Sequence, residues 1–417
     1  MMLLVALLIA TAPADTLTLD AAYRAAEAQY PLRQQIDLRE AIATLRVQNL
    51  QARYLPSIDL GGQATYYSDV VNLPLEIPGV SFPQPDNDQY KVALSVNQLV
   101  YDGGMIAVQK ELETIQRDID QQQVEVESYA VRQQVNNAFL RVLLLEAQLA
   151  SLATLQEDID AKLNLVQAQV RGGVALPGQA DVLAAERIKV EQQQLEARTN
   201  RRATLDVLEV LMDQTLPDDV VLALPDAGIA TPLSAMQQRP EYPLFDLNRS
   251  RLAAQQTLSA RKNRPTVSSF AEAAYGRPPA LDFFKTDFKP FYTVGLRVNW
   301  NAWDWHTGRR DQEALALQQE MVDAQEATFT QQLSVATQQH LADIKRLQAL
   351  LQTDEEIIAL RQRVVEQAAS QLANGVITAT DYLTERNAAH QAELTRALHR
   401  IQLAQAQVNY LTTIGEQ

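Results

Sequence analysis

The sequence predicts a mainly α fold, written twice along the chain, in which long helical hairpins alternate with four β-strands that build a membrane β-barrel only together with further copies. Three observations predict it. The stretches between Gly104 and Gly172 and between Gly308 and Gly375 contain no glycine or proline and are rich in Gln, Ala, Leu and Glu, the composition of long helices. Two short segments in each half alternate apolar and polar residues with the period of a strand. The halves also repeat one another at nearly constant spacing, the signature of an internally duplicated fold.

In chain order, residues 1–14, MMLLVALLIATAPA, form an apolar run ending in Ala12-Pro13-Ala14, a pattern that suits signal-peptide cleavage before Asp15. That run is too short to span a bilayer, and no run of about 18 apolar residues follows it. If the mature chain enters a membrane, it does so as strands. A first repeat is expected over 15–216, with strands at about 57–70 and 89–101 and long helices at about 103–171 and 179–214. A linker at 217–231 leads to a second repeat over 232–417, with strands at about 265–276 and 290–303 and helices at about 306–373 and 380–414.

The duplication is read from matched positions. Tyr30-Pro31, Asp37-Leu38 and Pro56 match Arg239-Pro240, Asp246-Leu247 and Pro265 at an offset of 209, while YKVALSVNQLVYDGG from 90 matches YTVGLRVNWNAWDWH from 292 at an offset of 202. The residues lost between the two registers give the first copy the longer connecting loop. At the shorter offset Gly173-Val174 meets Gly375-Val376.

Within the helices, Val108, Leu112, Ile115 and Ile119, and later Ile159, Leu163, Val166 and Val170, step by four and three as a coiled-coil seam does. Packing between helices is their expected role. In the strands, Tyr90, Val92, Leu94 and Val96, and Tyr292, Val294, Leu296, Val298 and Trp300, form one apolar face against a polar one. A lipid-facing barrel wall suits this pattern, and so does the edge of a half-buried soluble sheet. The partner segments alternate less cleanly, with Asp59 and Glu272 on polar faces. Four strands per chain cannot close a barrel, and a barrel in lipid must close, whereas three copies would supply about twelve.

Composition excludes other classes. A net charge of −15 and a pI near 4.8 are the wrong sign for a chain that must neutralise phosphates, so no nucleic-acid partner is expected. With no cysteine there is neither a disulfide framework nor thiol chemistry. His306, His340, His390 and His399 show no H-E-x-x-H spacing, and no G-x-S-x-G or P-loop pattern occurs, so no enzyme, cofactor or metal site is expected.

The ordered motifs resemble the outer membrane efflux protein family, the TolC-like channel-tunnels. They are the duplicated organisation, the strand entries at Pro56 and Pro265, Tyr101-Asp102-Gly103-Gly104 where strand passes into helix, and Gly-Val turns followed by Asp-Val-Leu at 181–183 and Asp-Tyr-Leu at 381–383. The resemblance implies a homotrimer whose twelve-stranded barrel lies in outer-membrane lipid and continues as an α-barrel across the periplasm. It implies a passive duct in a tripartite efflux system, joined through a periplasmic adaptor, or membrane fusion protein, to an inner-membrane pump of the RND or ABC class. A type I protein-secretion duct and a non-conducting periplasmic coiled-coil scaffold stay open as alternatives.

By the same resemblance, Gly172, Gly173, Val174, Leu176, Gly375 and Val376 are the adaptor-docking tips, and Asp181, Asp381 and Thr384 belong to the periplasmic entrance. Asp181 and Asp381 each sit where a helix restarts, so helix N-capping competes with pore lining for both. Pro177-Gly178 is expected to lengthen the first turn. Some relatives lock the entrance with an aromatic and a basic residue, and Leu372 and Ile377 occupy those places here, which points to a weaker gate or a lock built elsewhere.

Overall fold

The computed structural model describes residues 16–70, 85–225, 238–280, 282 and 285–416. The expected signal segment 1–14, part of the linker and part of the first hairpin loop lie outside the described residues. In chain order the elements are α1 (Leu19–Gln29), α2 (Gln34–Ala52), β1 (Ser57–Tyr66), β2 (Asp88–Tyr101), α3 (Met105–Arg171), α4 (Pro177–Met212), α5 (Glu241–Arg261), β3 (Thr266–Arg277), β4 (Lys289–Asn299), α6 (Thr307–Ala373) and α7 (Ala379–Ile414). β1 ends at Tyr66, before the expected 70, and β4 ends at Asn299, so Trp300 lies just beyond the strand rather than in it.

The chain divides into two compact units. One holds α1, α4, α7 and the later parts of α3 and α6, and it carries the well-packed cores. In the first core, Phe139, Val142, Leu205, Leu208 and Val408 join α3, α4 and α7 around α1. In the second, Ile159, Val166, Leu183, Leu372 and Tyr382 pack near the turns. The stepping residues Ile159, Leu163 and Val166 are buried, as a helix-packing seam requires. One stretch of α3 reaches a mean hydropathy of 1.5, long and apolar enough for a membrane span by composition. Phe139, Leu140 and Val142 on this helix are nevertheless buried in the first core, which accounts for apolar character without a bilayer.

The helix ends follow local chemistry. Thr18 Oγ1 accepts from Ala21 N to start α1, and α7 stops at Gly415, whose φ of 89° is a left-handed cap that glycine adopts without steric cost.

The other unit holds α2, most of α5, the early parts of α3 and α6, and a four-stranded sheet in the order β1-β2-β3-β4. All three pairings are antiparallel. Leu60 stands opposite Leu94, Leu94 opposite Ala273 and Ala273 opposite Tyr292, so these residues share one face across the whole sheet. β1 and β4 are its outer strands. Since neighbours alternate in direction, the two outer strands also run in opposite directions.

Candidate functional site

The sheet sorts its residues by chemistry. One face carries Ile58 and Leu60 of β1, Tyr90, Val92, Leu94 and Val96 of β2, Tyr275 of β3, and Tyr292, Val294, Leu296 and Val298 of β4. The four β4 residues are each at least 65% exposed, so among the described residues nothing covers this part of the apolar face. The opposite face carries Asp59, Gln63, Lys91, Ser95, Glu272 and Arg297, with Lys91 Nζ 2.5 Å from Glu272 Oε1. The ragged alternation of β1 and β3 is therefore resolved by register: Asp59 and Glu272 point to the same side as the polar residues of β2 and β4.

At the helix end of the sheet two aspartates, 202 positions apart, turn strand into helix. Asp102 is buried, and its carboxylate accepts from Gly104 N at 2.8 Å, Ile106 N at 2.5 Å and the Tyr54 hydroxyl at 2.8 Å. Burial pushes its pKa up, but these hydrogen bonds outweigh it and hold the carboxyl below the usual range. Asp304 accepts from Asn263 Nδ2 at 2.6 Å and from Gly308 N and His306 N, both at 2.9 Å, and these bonds pull its pKa down to about 2. Both carboxylates hold the first amides of the following long helix, which have no partners within the helix. The 202 offset already pairs Asp102 with Asp304 in the sequence, but the helix-starting role that they share is seen only in the structure.

The twin turns are geometrically alike. Gly173 N donates to Val170 O and Val174 N to Gln169 O, while Gly375 N donates to Leu372 O and Val376 N to Gln371 O. Gly173 and Gly375 have φ of 73° and 71°, with open space where a Cβ would stand. Each long helix thus ends in the same left-handed terminus, and glycine suits both. Gly172 is exposed beside them. Val174, Leu176 and Val376 are 76, 73 and 69% exposed, an apolar tip on each hairpin.

Three expectations change here. Pro177-Gly178 does not lengthen the first turn, because Pro177 is the first residue of α4 and residues 172–176 match 374–378 in number. Proline without an N–H is well placed where that N–H would have no helical partner. Asp181 is no N-cap: it lies four residues inside α4, exposed, and Leu176 holds the cap position. Asp381 is not the N-cap either. Thr378 is, and Asp381 completes a capping box by accepting from Thr378 N at 3.0 Å, while Asp381 N donates to Thr378 Oγ1 at 3.3 Å. Hydrogen bonds from the Thr378 side chain and backbone hold the Asp381 carboxyl below its usual range. Thr384 is exposed and donates to Thr380 O at 3.0 Å.

A clasp that the sequence did not announce lies beside the second turn. Tyr382 and Arg386, one turn apart on α7, both reach Asp158 of α3: the Tyr382 hydroxyl donates to Oδ2, and Arg386 Nε lies 3.1 Å from the same oxygen. Tyr382 and Arg386 are buried, and burial followed by the Asp158 contact raises the phenol's pKa. The positions 202 away are Ala180, Ala184 and Leu360, so the first turn has no counterpart. Leu372 is buried in the core and Ile377 packs against it, so neither stands in for a lock. Among the described residues, no group of three or more His, Asp and Glu is arranged to hold a metal ion.

Residues 22–212 match the family model described as outer membrane efflux protein. No curated protein matches the sequence. Among solved structures, that of CusC, described in connection with transmembrane channel formation, superposes with a TM-score of 0.70 at 10% identity, covering 96% of this chain and 92% of that one. The outer membrane protein VceC of Vibrio cholerae gives 0.68 at 13% identity, covering 95% and 96% of the two chains. The open-state MtrE outer membrane channel of Neisseria gonorrhoeae gives 0.66 at 12% identity, covering 95% and 89%.

Proposed function

We propose that this chain is the outer-membrane duct of a tripartite export system, because residues 22–212 match the family model of outer membrane efflux proteins and nearly the whole chain shares the fold of solved outer-membrane channels. Three copies close one barrel of about twelve strands in the outer membrane, and the long helices form a tunnel in the periplasm. Transport through it is passive, with the driving force supplied by an inner-membrane pump and passed through a periplasmic adaptor.

The observation that carries the proposal is the pair of open edges on a sheet with an uncovered apolar face. β1 and β4 run oppositely, so β4 of one copy pairs antiparallel with β1 of the next without breaking the alternation. Closure in this way satisfies every edge N–H and C=O, a requirement in hydrocarbon, where no water can substitute. The apolar face then turns to lipid and the face with Lys91, Glu272 and Arg297 lines the passage. A non-conducting scaffold has no use for such a sheet. The bare glycine turns with Val174, Leu176 and Val376 offer the adaptor a close approach to backbone and a small dry contact.

The absence of cysteine gives a clean test. A cysteine placed at Leu60 on β1 and scanned along β4 should yield disulfide-linked trimers at one register. A stable monomer in detergent that keeps its β signal and cross-links nowhere in the scan would overturn the proposal.

A further inference from the structure

Asparagine followed by glycine occurs once in the chain, at Asn374-Gly375 in the second of the twin turns. The pair matters chemically. Where the residue after an asparagine has no side chain, its backbone nitrogen can reach the asparagine's own Cγ and close a five-membered ring. Every other asparagine precedes a residue with a Cβ, which crowds that approach. Asn374 is exposed and directly follows Ala373, the last residue of α6. Gly375 is exposed too, with open space where a Cβ would stand. Few bonds hold the pair: Asn374 N donates to Ser370 O at 3.1 Å and Asn374 Nδ2 to the same oxygen at 2.8 Å, while Gly375 N donates to Leu372 O at 3.0 Å. All belong to a helix end, the part of a helix that opens first.

Two comparisons within the chain isolate the site. The residue 202 positions before Asn374 is Gly172, so the first turn has the matching left-handed glycine and no amide to cyclise. Asp102-Gly103, the chain's one Asp-Gly pair, contains the atoms for the same ring, but it is shut away. Asp102 is buried, its carboxylate accepts from Gly104 N, Ile106 N and the Tyr54 hydroxyl, and a Cβ on Gly103 would stand 2.8 Å from Arg264 Cβ. An ionised carboxylate is also a poorer electrophile than an amide.

We infer that Asn374 is a site of spontaneous covalent modification, with Gly375 N as the nucleophile and water as the co-reactant. The deprotonated Gly375 nitrogen attacks Asn374 Cγ, the Cγ–Nδ2 bond breaks, and Nδ2 leaves as ammonia, giving a cyclic imide. Water then adds to one of the two imide carbonyls and opens the ring. Opening at one carbonyl leaves aspartate in the ordinary chain. Opening at the other leaves isoaspartate, whose backbone is one methylene longer. Either product places a new carboxylate at the C-terminal end of α6, where the helix dipole disfavours it. The longer backbone also cannot keep both Gly375 N on Leu372 O and Val376 N on Gln371 O. The second tip, with its exposed Val376, therefore gains charge and loses shape while the first is unchanged. The effect on docking rests on the proposed function, and the ring chemistry does not.

The purified full-length protein is aged in neutral and in mildly alkaline buffer, digested, and analysed by peptide mass spectrometry, with ammonia assayed in the same samples. The peptide carrying Asn374 should gain about 1 Da and separate into two species, aspartate and isoaspartate, with one ammonia released per modified chain. The rate should rise about tenfold per pH unit, as the deprotonated fraction of the Gly375 amide does. Asn374→Gln keeps an amide but requires a six-membered ring, and it should stay unmodified. An intact Asn374 in the aged protein would overturn the inference, and a peptide of residues 368–380 aged alongside shows whether the helix-end hydrogen bonds are what protect it. In cells, Asn374→Asp fixes the charge without lengthening the backbone. It should assemble and conduct as Asn374→Gln does, yet cross-link to the periplasmic adaptor about tenfold less, the cost of an unpaired carboxylate at a dry contact. Equal cross-linking of the two variants would overturn the effect on docking. Failure of even the unmodified protein to conduct or to cross-link would instead strike at the proposed function, and the mass measurement would stand.

Discussion

The clasp at Asp158 should control how firmly α7 is held against α3 next to the second turn. Tyr382→Phe keeps the buried ring and removes only the hydroxyl that donates to the carboxylate. A hydrogen bond to a charged group is worth about 1.5–3 kcal/mol, and with the Asp158 side chain 29% exposed water recovers part of it, so about 1.5 kcal/mol is expected. Arg386→Leu removes a guanidinium whose side chain is 8% exposed. Breaking a fully buried pair costs roughly 3–5 kcal/mol, and the partial exposure of Asp158 reduces this to about 2 kcal/mol. The two groups share one oxygen, so the double variant should cost less than the two single losses together. Hydrogen exchange of the assembled protein reads this locally: in Arg386→Leu the amides of the first turns of α7 should exchange about 30-fold faster, while those of α1 stay unchanged. Single-channel conductance should rise in the same variant as the helix end loosens. Unaltered exchange at the start of α7 in both single variants, with assembly intact, would refute the idea that these contacts hold the helix.

Two further outcomes are expected. Gly375→Arg and Gly173→Arg each place a Cβ at a left-handed φ in open space, at a cost of about 1–2 kcal/mol; both should assemble and conduct in planar bilayers yet lose export in cells, measured beside adaptor cross-linking, and retained export in both would reduce the turns to simple corners. The pKa of His390 is lowered, chiefly by burial and then by Arg386. Below its unfolded value near 6.5 the unfolded chain binds the extra proton. Its contribution to stability is therefore present above about pH 6.5 and lost as pH falls below it. Melting curves should drop between pH 7 and 5, and more gently in His390→Gln.

The features legible in the sequence were those with a period. Strand alternation, helix stepping and the 202-residue offset each repeat often enough to outweigh any single residue, and the structure places Tyr90, Val92, Leu94 and Val96 on one face with their second-copy counterparts. Contacts made once were not legible. Asp158 lies 224 residues from Tyr382, and no local pattern links them. The turn lengths were misjudged for a related reason: Asp181-Val182-Leu183 and Asp381-Tyr382-Leu383 look like matched positions but sit two residues out of register. The 202 offset of the glycines is the one the backbone keeps, and it makes Gln179 the partner of Asp381. Proline at 177 read as a turn residue because the same ring that breaks a helix also opens one.

The unpaired edges of the sheet carry a consequence for populations of molecules. If three copies close the proposed ring, each seam would draw β4 from one subunit and β1 from the next, so a single copy with a spoiled edge would open it. When faulty and sound copies are made in equal amounts and mix freely, only about one ring in eight contains sound copies alone. An edge-strand lesion should therefore behave as a dominant trait, suppressing the product of an intact allele, whereas a deletion of the whole gene should be recessive.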